Sequence, residues 1–148
     1  MLDVVKLSEK LKVVQKERSL LEDFVGLTFE EFMADDKIHE YYGALHHLQI
    51  ALQAVLDTCQ HIVAQKLLGS YKENKEVFRL LSRKGTLSNE VGKTFEAAVG
   101  VRNILVHQYE DVDPKKVYDV IQNNLSDFDR FVVEIGEYLK KEGGEENV

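Results

Sequence analysis

Apolar residues recur at intervals of three and four along most of the chain, which is the spacing that lines one face of an α-helix. The first pattern predicts a helix that is capped by Asp3 and runs to about Val25. The second begins at Asp35 or Asp36 as the cap and stays in phase until Gly69. Strand-like alternation is scarce, so the patterning predicts an all-helical protein.

The second helix carries the longest apolar stripe, and polar start signals divide the rest of the chain. The stripe is predicted to consist of Ile38, Tyr42, Leu45, Leu48, Leu52, Val55 or Leu56, Cys59, Ile62 or Val63, and Leu67. The start signals are a Thr28–Glu31 capping box, a Ser70–Glu73 capping box, a Ser88 cap, and an Asp113 cap with Pro114 at the first helical position. The last helix is predicted to continue from there to Leu139.

Four substantial helices with short connections predict an up-and-down bundle of four to five helices. The bundle is expected to be a single domain over residues 1–142, with a flexible tail over 143–148. No run of about eighteen apolar residues is present, so no transmembrane helix is predicted. The single cysteine, Cys59, falls on an apolar stripe and has no internal disulfide partner, which favours a buried thiol in a cytoplasmic protein.

The formal net charge of −7 argues against a protein that coats nucleic acid non-specifically. The charge is uneven along the chain. Residues 1–40 contain ten acidic and six basic residues, and residues 117–148 contain eight and three. Residues 79–116 reverse this balance, with seven basic and five acidic residues. This basic segment permits a local anionic ligand.

The stretch VRNILVHQY, residues 101–109, lies in the basic segment on a predicted helix. At 100° per residue, Val91, Phe95 and Leu105 form an apolar stripe, and Arg102 falls in its middle. A cation there is costly unless its side chain snorkels, forms a salt bridge or faces a partner surface. These interpretations remain open at the level of the sequence.

A neighbouring face of the same helix carries Gly92, Gly100, Asn103 and His107. A glycine inside a helix costs about 1 kcal/mol relative to alanine, so two on one face indicate close approach of another helix or of a ligand near the histidine. Arg102, with a long side chain, can curl toward a groove that His107 also lines. A two-fold partner along this helix would add a second copy of the set to one cleft.

The residue types on this helix suit one reaction. An imidazole with a reference pKa of ~6.5 can transfer protons, and a guanidinium binds phosphate through two parallel hydrogen bonds. With Asn103 in support, Arg102 and His107 fit RNA cleavage by attack of the ribose 2′-OH on the adjacent phosphate. That reaction requires no metal and no cofactor.

The other histidines and the carboxylates are candidate metal ligands or supports for the site. A bundle metal site needs Glu-x-x-His from two helices, and the chain offers only Asp36-x-x-His39, so no metal site is predicted. Asp57 and His61 lie one turn apart beside the apolar stripe. They form either a satisfied buried pair, or Asp57 or His61 reaches the cleft and supports it, with Asp57 as the candidate support.

The residues RNILVHQY match the pattern R-N-x-x-x-H-x-Y and resemble the HEPN-domain family, in the form found in HepT toxins. The stretches HLQIALQAVLDTCQHIVAQKLLGSYKENKEVFRLL and VGVRNILVHQYEDVDPKKVYDVI are similar to the family's second helix and linker, and to its motif helix and last helix. The resemblance covers about residues 5–140.

The resemblance implies a homodimer in which two motifs face each other, and a metal-independent endoribonuclease that is the toxin of a toxin–antitoxin pair. It assigns phosphate binding to Arg102, support to Asn103 and catalysis to His107. It also implies an MntA-type nucleotidyltransferase antitoxin that neutralises the toxin by adenylylating Tyr109. Two alternatives stay open: a non-catalytic nucleotide- or partner-binding HEPN module, and a plain helical dimerisation domain.

Overall fold

The computed structural model describes residues 2–107 and 111–144, without the side chain of His107. Within these ranges the chain folds into seven α-helices, which confirms the all-helical prediction. They are α1 (Val4–Leu21), α2 (Phe29–Phe32), α3 (Ile38–Gln65), α4 (Glu76–Arg83), α5 (Asn89–His107), α6 (Pro114–Asn123) and α7 (Leu125–Gly144). Among the described helices, none is both long and apolar enough to cross a bilayer.

The four long helices α1, α3, α5 and α7 pack as an up-and-down bundle, as the sequence predicts. Helix α1 packs against α3 and α7, and α5 packs against the same two helices. Contacts between opposite ends show that each neighbouring pair is antiparallel. For α1 and α3 these contacts are Asp3–Gln65 and Glu17–His47, for α1 and α7 they are Val4–Gly143 and Arg18–Asp129, and for α5 and α7 they are Ser88–Glu134 and Phe95–Phe128.

An aromatic cluster holds α5 against its neighbours. The ring of Phe95 lies 6.2 Å from that of Phe78 on α4, and 5.6 and 5.3 Å from those of Phe128 and Phe131 on α7. All four side chains are buried. Helix α5 is therefore fixed by its apolar face, which leaves its other faces available for polar residues.

Several predicted helix boundaries are wrong. Helix α1 ends at Leu21 rather than Val25, because the chain tightens into a 3₁₀ turn over Glu22–Phe24. Asp35 and Asp36 lie inside a second 3₁₀ turn and do not cap α3, which starts without a side-chain cap. Short 3₁₀ turns at helix ends satisfy the terminal backbone groups locally, so no capping side chain is required.

The predicted stripe of α3 is correct in its middle and wrong at both ends. Ile38, Tyr42 and Leu67 are 44%, 50% and 88% exposed, whereas Tyr41 is buried. The helix ends at Gln65, four residues before the predicted end at Gly69. Periodicity alone continues the stripe past the point where neighbouring helices stop covering it.

The predicted Ser70–Glu73 capping box does not form. The carboxylate of Glu76 instead accepts hydrogen bonds from the backbone N–H groups of Lys72 and Glu73, at 2.7 and 2.8 Å.

The last predicted helix is broken at Asn124 into α6 and α7. The other predicted starts are confirmed: the Thr28–Glu31 capping box, the Ser88 cap, and the Asp113 cap with Pro114 at the first helical position.

Candidate functional site

Helix α5 positions the candidate site, and it is anchored at its first turn. The hydroxyl of Ser88 accepts a hydrogen bond from the backbone N–H of Val91 at 3.2 Å. The carboxylate of Glu134 on α7 in turn accepts from the backbone N–H and the hydroxyl of Ser88, at 2.7 and 2.8 Å. The start and the apolar face of α5 are thus fixed, so its last two turns present Arg102 and Asn103 from a rigid base.

Arg102 is held by neutral amides. Its Nε and Nη2 both donate to Oε1 of Gln53 on α3, at 2.8 and 2.6 Å, and its Nη1 donates to Oδ1 of Asn103 at 2.8 Å. Three of the five guanidinium N–H donors are used in this way. The other two donors have no partner among the described residues and can serve a ligand, on a side chain that is only half-buried.

Asp57 determines the orientation of that arrangement. The amide nitrogen of Gln53 donates to Oδ1 of Asp57 at 2.8 Å, one turn further along α3. Because a carboxylate accepts hydrogen bonds, the amide nitrogen of Gln53 must point to Asp57 and its oxygen to Arg102. The chain Asp57–Gln53–Arg102–Asn103 therefore runs across the packed pair α3 and α5. Whether Asp57 supports function through it remains a prediction.

The charge of Arg102 is not neutralised by a contact. Three of the five arginines form ion pairs with carboxylates: Arg18 with Asp129 and Glu22, Arg79 with Glu96, and Arg130 with Glu90 and Asp127. Within the described part of the chain, Arg102 has no such partner. Among the described residues, the salt-bridged interpretation of this arginine therefore finds no partner, and its fixed cation is available to an anion.

The other two motif residues are located only in part. His107 is the last residue of α5, but its side chain lies outside the described residues, as does all of Tyr109. Asn103 is exposed, and its Oδ1 accepts a hydrogen bond from Arg102. The predicted meeting of Arg102 with His107 therefore remains a prediction.

The two glycines of α5 have different surroundings. A Cβ on Gly92 would lie 2.1 Å from Oγ of Ser82 and 3.4 Å from the carbonyl oxygen of Phe78, so this glycine serves the packing of α4 on α5. A Cβ on Gly100 would meet nothing within 4 Å. The expected close approach of another helix is thus confirmed at Gly92, where that helix is α4. It stays a prediction for Gly100 and for the surroundings of His107.

His61 does not form the predicted pair with Asp57. Its Nε2 is buried and has no hydrogen-bond partner among the described residues, and Asp57 accepts a hydrogen bond from Gln53. Sequence reasoning missed Gln53, although Gln53 and Asp57 are four residues apart, the spacing at which helical side chains meet. Its partner Arg102 is 49 residues away, a contact that only the packing of α3 on α5 creates.

Two other reactive groups are accounted for by the fold. Cys59 is completely buried, and this burial raises the pKa of its thiol well above the ordinary value, which makes it a poor nucleophile. Nδ1 of His47 lies 2.6 Å from Oε2 of Glu17, so this histidine links α3 to α1. Within residues 2–107 and 111–144, no group of three or more potential metal ligands comes together.

The fold is that of a HEPN toxin. The chain superimposes with a TM-score of 0.77 on the solved structure of the tri-AMPylated Shewanella oneidensis HEPN toxin in complex with MNT antitoxin, at 25% identity, over 93% of this chain and 99% of that one. The model of the ribonuclease HepT-like family matches residues 14–135, which include Gln53, Asp57, Arg102 and His107. The chain therefore belongs to the HepT-like family.

Two curated relatives are similar over most or much of the chain. The tRNA nuclease HepT of Aphanizomenon flos-aquae is 32% identical over 75% of this chain and 78% of its own length. The mRNA nuclease HepT of Shewanella oneidensis is 31% identical over 58% of this chain and 65% of its own length. The two names specify different RNA classes, so the family likeness by itself does not select a substrate.

Proposed function

We propose that the protein is a metal-independent endoribonuclease that acts as the toxin of a toxin–antitoxin pair. The observation that carries this proposal is the guanidinium of Arg102, which is oriented by Gln53 and Asn103, has no carboxylate partner in the described chain and retains two free donors. Five residues further along the same helix is His107. Membership of the HepT-like ribonuclease family supports the same conclusion.

The proposed reaction needs a bound phosphate and two proton transfers. The ribose 2′-OH attacks the adjacent phosphorus and loses its proton, while the bond to the 5′-oxygen breaks and that oxygen gains a proton. The products are a 2′,3′-cyclic phosphate and a free 5′-OH. Arg102 stabilises the charge of the pentacoordinate phosphate, and His107 is the imidazole assigned to proton transfer.

The proposal predicts chelator-resistant cleavage that depends on the 2′-OH. The purified protein is expected to cut RNA equally well with EDTA and with Mg²⁺, because the groups in the proposed reaction are side chains of this chain. The same oligonucleotide with a 2′-deoxyribose at the cleaved position is expected to stay intact. Gel analysis of both substrates tests this, and a loss of cleavage in EDTA would contradict the metal-independent mechanism.

A carboxylate in place of the Gln53 amide tests the role of Arg102. The substitution Gln53→Glu keeps the side-chain length and places a negative charge where Oε1 now contacts Nε and Nη2 of Arg102. Because the neutralised arginine no longer offers a net charge to phosphate, RNA affinity is expected to fall, with the salt dependence of log Kd reduced by about 0.7, the contribution of one phosphate contact to a single strand.

The matched control for this variant is Gln60→Glu, also on α3, whose amide contacts Asn74 and not Arg102. It carries the same charge change and is expected to leave the salt dependence unchanged. Equal effects of the two variants would show that only the net charge of the protein matters, and would count against phosphate binding by Arg102.

The proposal includes a homodimer that brings two motifs together. Gly100 lies on α5 between Glu96 and Asn103, is exposed, and would accept a Cβ without a contact in the single chain. An exposed helical glycine costs about 1 kcal/mol relative to alanine, so close approach of a second copy gives it a physical reason.

A charged side chain at Gly100 is expected to disrupt the dimer. Gly100→Glu would place a carboxylate in the proposed interface, next to its own symmetry mate, and the population of monomer measured by analytical ultracentrifugation is expected to rise. Gly136→Glu is the matched control, because Gly136 lies on α7 and also has open space around its ideal Cβ. If the Gly100→Glu protein forms as large a fraction of dimer as the Gly136→Glu protein, the proposed interface is contradicted.

The proposed partner is an MntA-type nucleotidyltransferase antitoxin that adenylylates Tyr109. Support comes from the similar HEPN toxin, which was solved in its tri-AMPylated form in complex with its MNT antitoxin. Tyr109 follows His107 by two residues and Arg102 by seven. An adenylate there adds negative charge and bulk at the site proposed for the RNA phosphate, which gives inhibition a physical reason.

A further inference from the structure

Helices α4 and α5 enclose a cleft of about 640 Å³ that is lined mainly by polar and basic side chains. This volume lies in the range of roughly 300–1,000 Å³ that is usual for ligand clefts. The lining residues include four cations, Lys75, Arg79, Arg83 and Lys93, and one carboxylate, Glu96. In a chain with a net charge of −7, this concentration of positive charge is local, and three of the four cations, Arg79, Arg83 and Lys93, fall within the basic segment of the sequence.

Only part of the positive charge in the cleft is neutralised. Arg79 donates to Oε1 of Glu96 through Nε at 2.9 Å, and this hydrogen bond lowers the pKa of the Glu96 carboxyl, so the pair stays ionised and internally compensated. Lys75 forms an exposed ion pair with Glu73 at 3.4 Å. Arg83 and Lys93 are exposed, and neither has a carboxylate partner in the described chain.

The cleft and the motif share one face of α5. Gly92 and Glu96 line the cleft, and Asn103 lies on the same side of the helix, seven residues beyond Glu96. At about 1.5 Å per residue, the two side chains are separated by about 10 Å along the axis. Helix α4 covers this face from Gly92, where Ser82 packs, to Glu96, which Arg79 contacts, whereas Gly100 and Asn103 are exposed.

The chemistry of the lining fits a nucleic-acid backbone. Guanidinium and ammonium groups bind phosphate, and Ser82 and Asn89 add a hydroxyl and an amide that suit phosphate and sugar oxygens. Phe78 is the one aromatic side chain among the described lining residues, and it is buried in the core, so none of these residues offers a ring for base stacking. A surface that contacts the backbone without base contacts binds a strand by charge rather than by sequence.

We infer that the α4–α5 cleft binds the phosphate backbone of the RNA that is cut at the motif, on one side of the cleaved bond. This inference rests on the proposed ribonuclease function. Arg83 and Lys93 supply the charges that contact phosphates a few nucleotides away from Arg102. They bind the strand and take no part in the bond-breaking step, so their contribution depends on the length of the substrate.

The test is the double variant Arg83→Gln/Lys93→Gln, compared with Lys12→Gln/Lys16→Gln, which removes two exposed lysines from α1. Binding is measured by fluorescence anisotropy with a labelled RNA of about ten nucleotides, in a His107→Ala background that keeps the RNA intact. The cleft variant is expected to bind on the order of tenfold more weakly, with the salt dependence of log Kd reduced by about 1.4, twice the value for one phosphate. The α1 variant is expected to match the parent.

Cleavage separates this inference from the proposed function. With His107 intact, the cleft variant is expected to cut a dinucleotide at the parental rate and the longer RNA more slowly. Parental binding and parental cleavage of the long RNA would overturn the inference and leave the ribonuclease function standing. A parent that cuts neither RNA would contradict the proposed function, whereas the binding measurement would still decide whether the cleft holds RNA.

A protein partner is the competing occupant of the cleft. If Arg83→Gln/Lys93→Gln binds RNA normally but loses its nucleotidyltransferase partner in a pull-down, the cleft is a protein-docking surface and the inference is wrong. The single variant Lys93→Glu provides a second measurement of RNA binding in which only one exposed residue is changed. It is expected to weaken RNA binding more than Lys12→Glu does.

Discussion

Replacement of His107 by alanine is expected to reduce RNA cleavage by about two to four orders of magnitude, the usual contribution of general acid–base catalysis. The alanine removes the imidazole that we assign to proton transfer and leaves Arg102 and its contacts to Gln53 and Asn103 in place. RNA binding is therefore expected to change little, so the loss should appear in kcat rather than in KM.

Two measurements keep this prediction specific. His39→Ala, at an exposed histidine near the start of α3, is expected to cleave RNA at the parental rate. Circular dichroism of His107→Ala is expected to match the parent, because alanine has high helix propensity. A His107→Ala protein that cuts RNA and arrests growth as the parent does would show that the catalytic group lies elsewhere.

Replacement of Tyr109 by phenylalanine is expected to produce a toxin that its antitoxin no longer silences by modification. Phenylalanine lacks the hydroxyl to which an adenylate would be attached, so incubation with the nucleotidyltransferase and ATP should add no adenylate mass. The parent protein is expected to gain that mass and to lose RNA cleavage, since the added phosphate competes for Arg102. Cells that express both partners should be arrested by the variant and not by the parent.

The control for this variant is Tyr42→Phe, which removes the hydroxyl of a half-exposed tyrosine on α3. It is expected to be modified and silenced like the parent. Modification of Tyr109→Phe to the same mass would place the adenylate on another residue. If the parent protein gains no adenylate mass, control of the toxin by adenylylation is contradicted.

The sequence predicts the bundle well because four apolar stripes, each at helical spacing, must be buried together. Buried residues such as Leu45, Leu48 and Cys59 follow the predicted stripe of α3. The ends of helices are predicted less well, because several local arrangements satisfy the same backbone groups. At Asp35 and Asp36 a 3₁₀ turn forms in place of a cap, and the backbone N–H of Glu73 is bonded by Glu76 rather than by Ser70.

The candidate site is predicted only in the part that lies on one helix. Arg102 and Asn103 are adjacent in sequence and remain in contact in the structure. The amide that orients Arg102 comes from Gln53 on α3, and no periodicity links these two positions. The sequence likewise does not predict which helix packs on Gly92, because that contact depends on where Ser82 and Phe78 of α4 lie.

Two other functions would use the same fold. A non-catalytic module would bind a nucleotide or a partner through Arg102 and Asn103, and it would be indifferent to the loss of His107. A plain dimerisation domain would keep its function after the loss of either Arg102 or His107, as long as the bundle stayed folded. The guanidinium of Arg102, which has no carboxylate partner among the described residues, favours a ligand over a purely structural role, because a half-buried cation without a counter-charge costs stability.

The most direct test of the ribonuclease function is cleavage of one RNA of defined sequence in EDTA by the parent and by His107→Ala, with mass spectrometry of the product ends. The parent is predicted to yield fragments with a 2′,3′-cyclic phosphate and a 5′-OH, and His107→Ala is predicted to leave the RNA intact. Intact RNA with the parent, or the same fragments at the same rate from both proteins, would contradict the account.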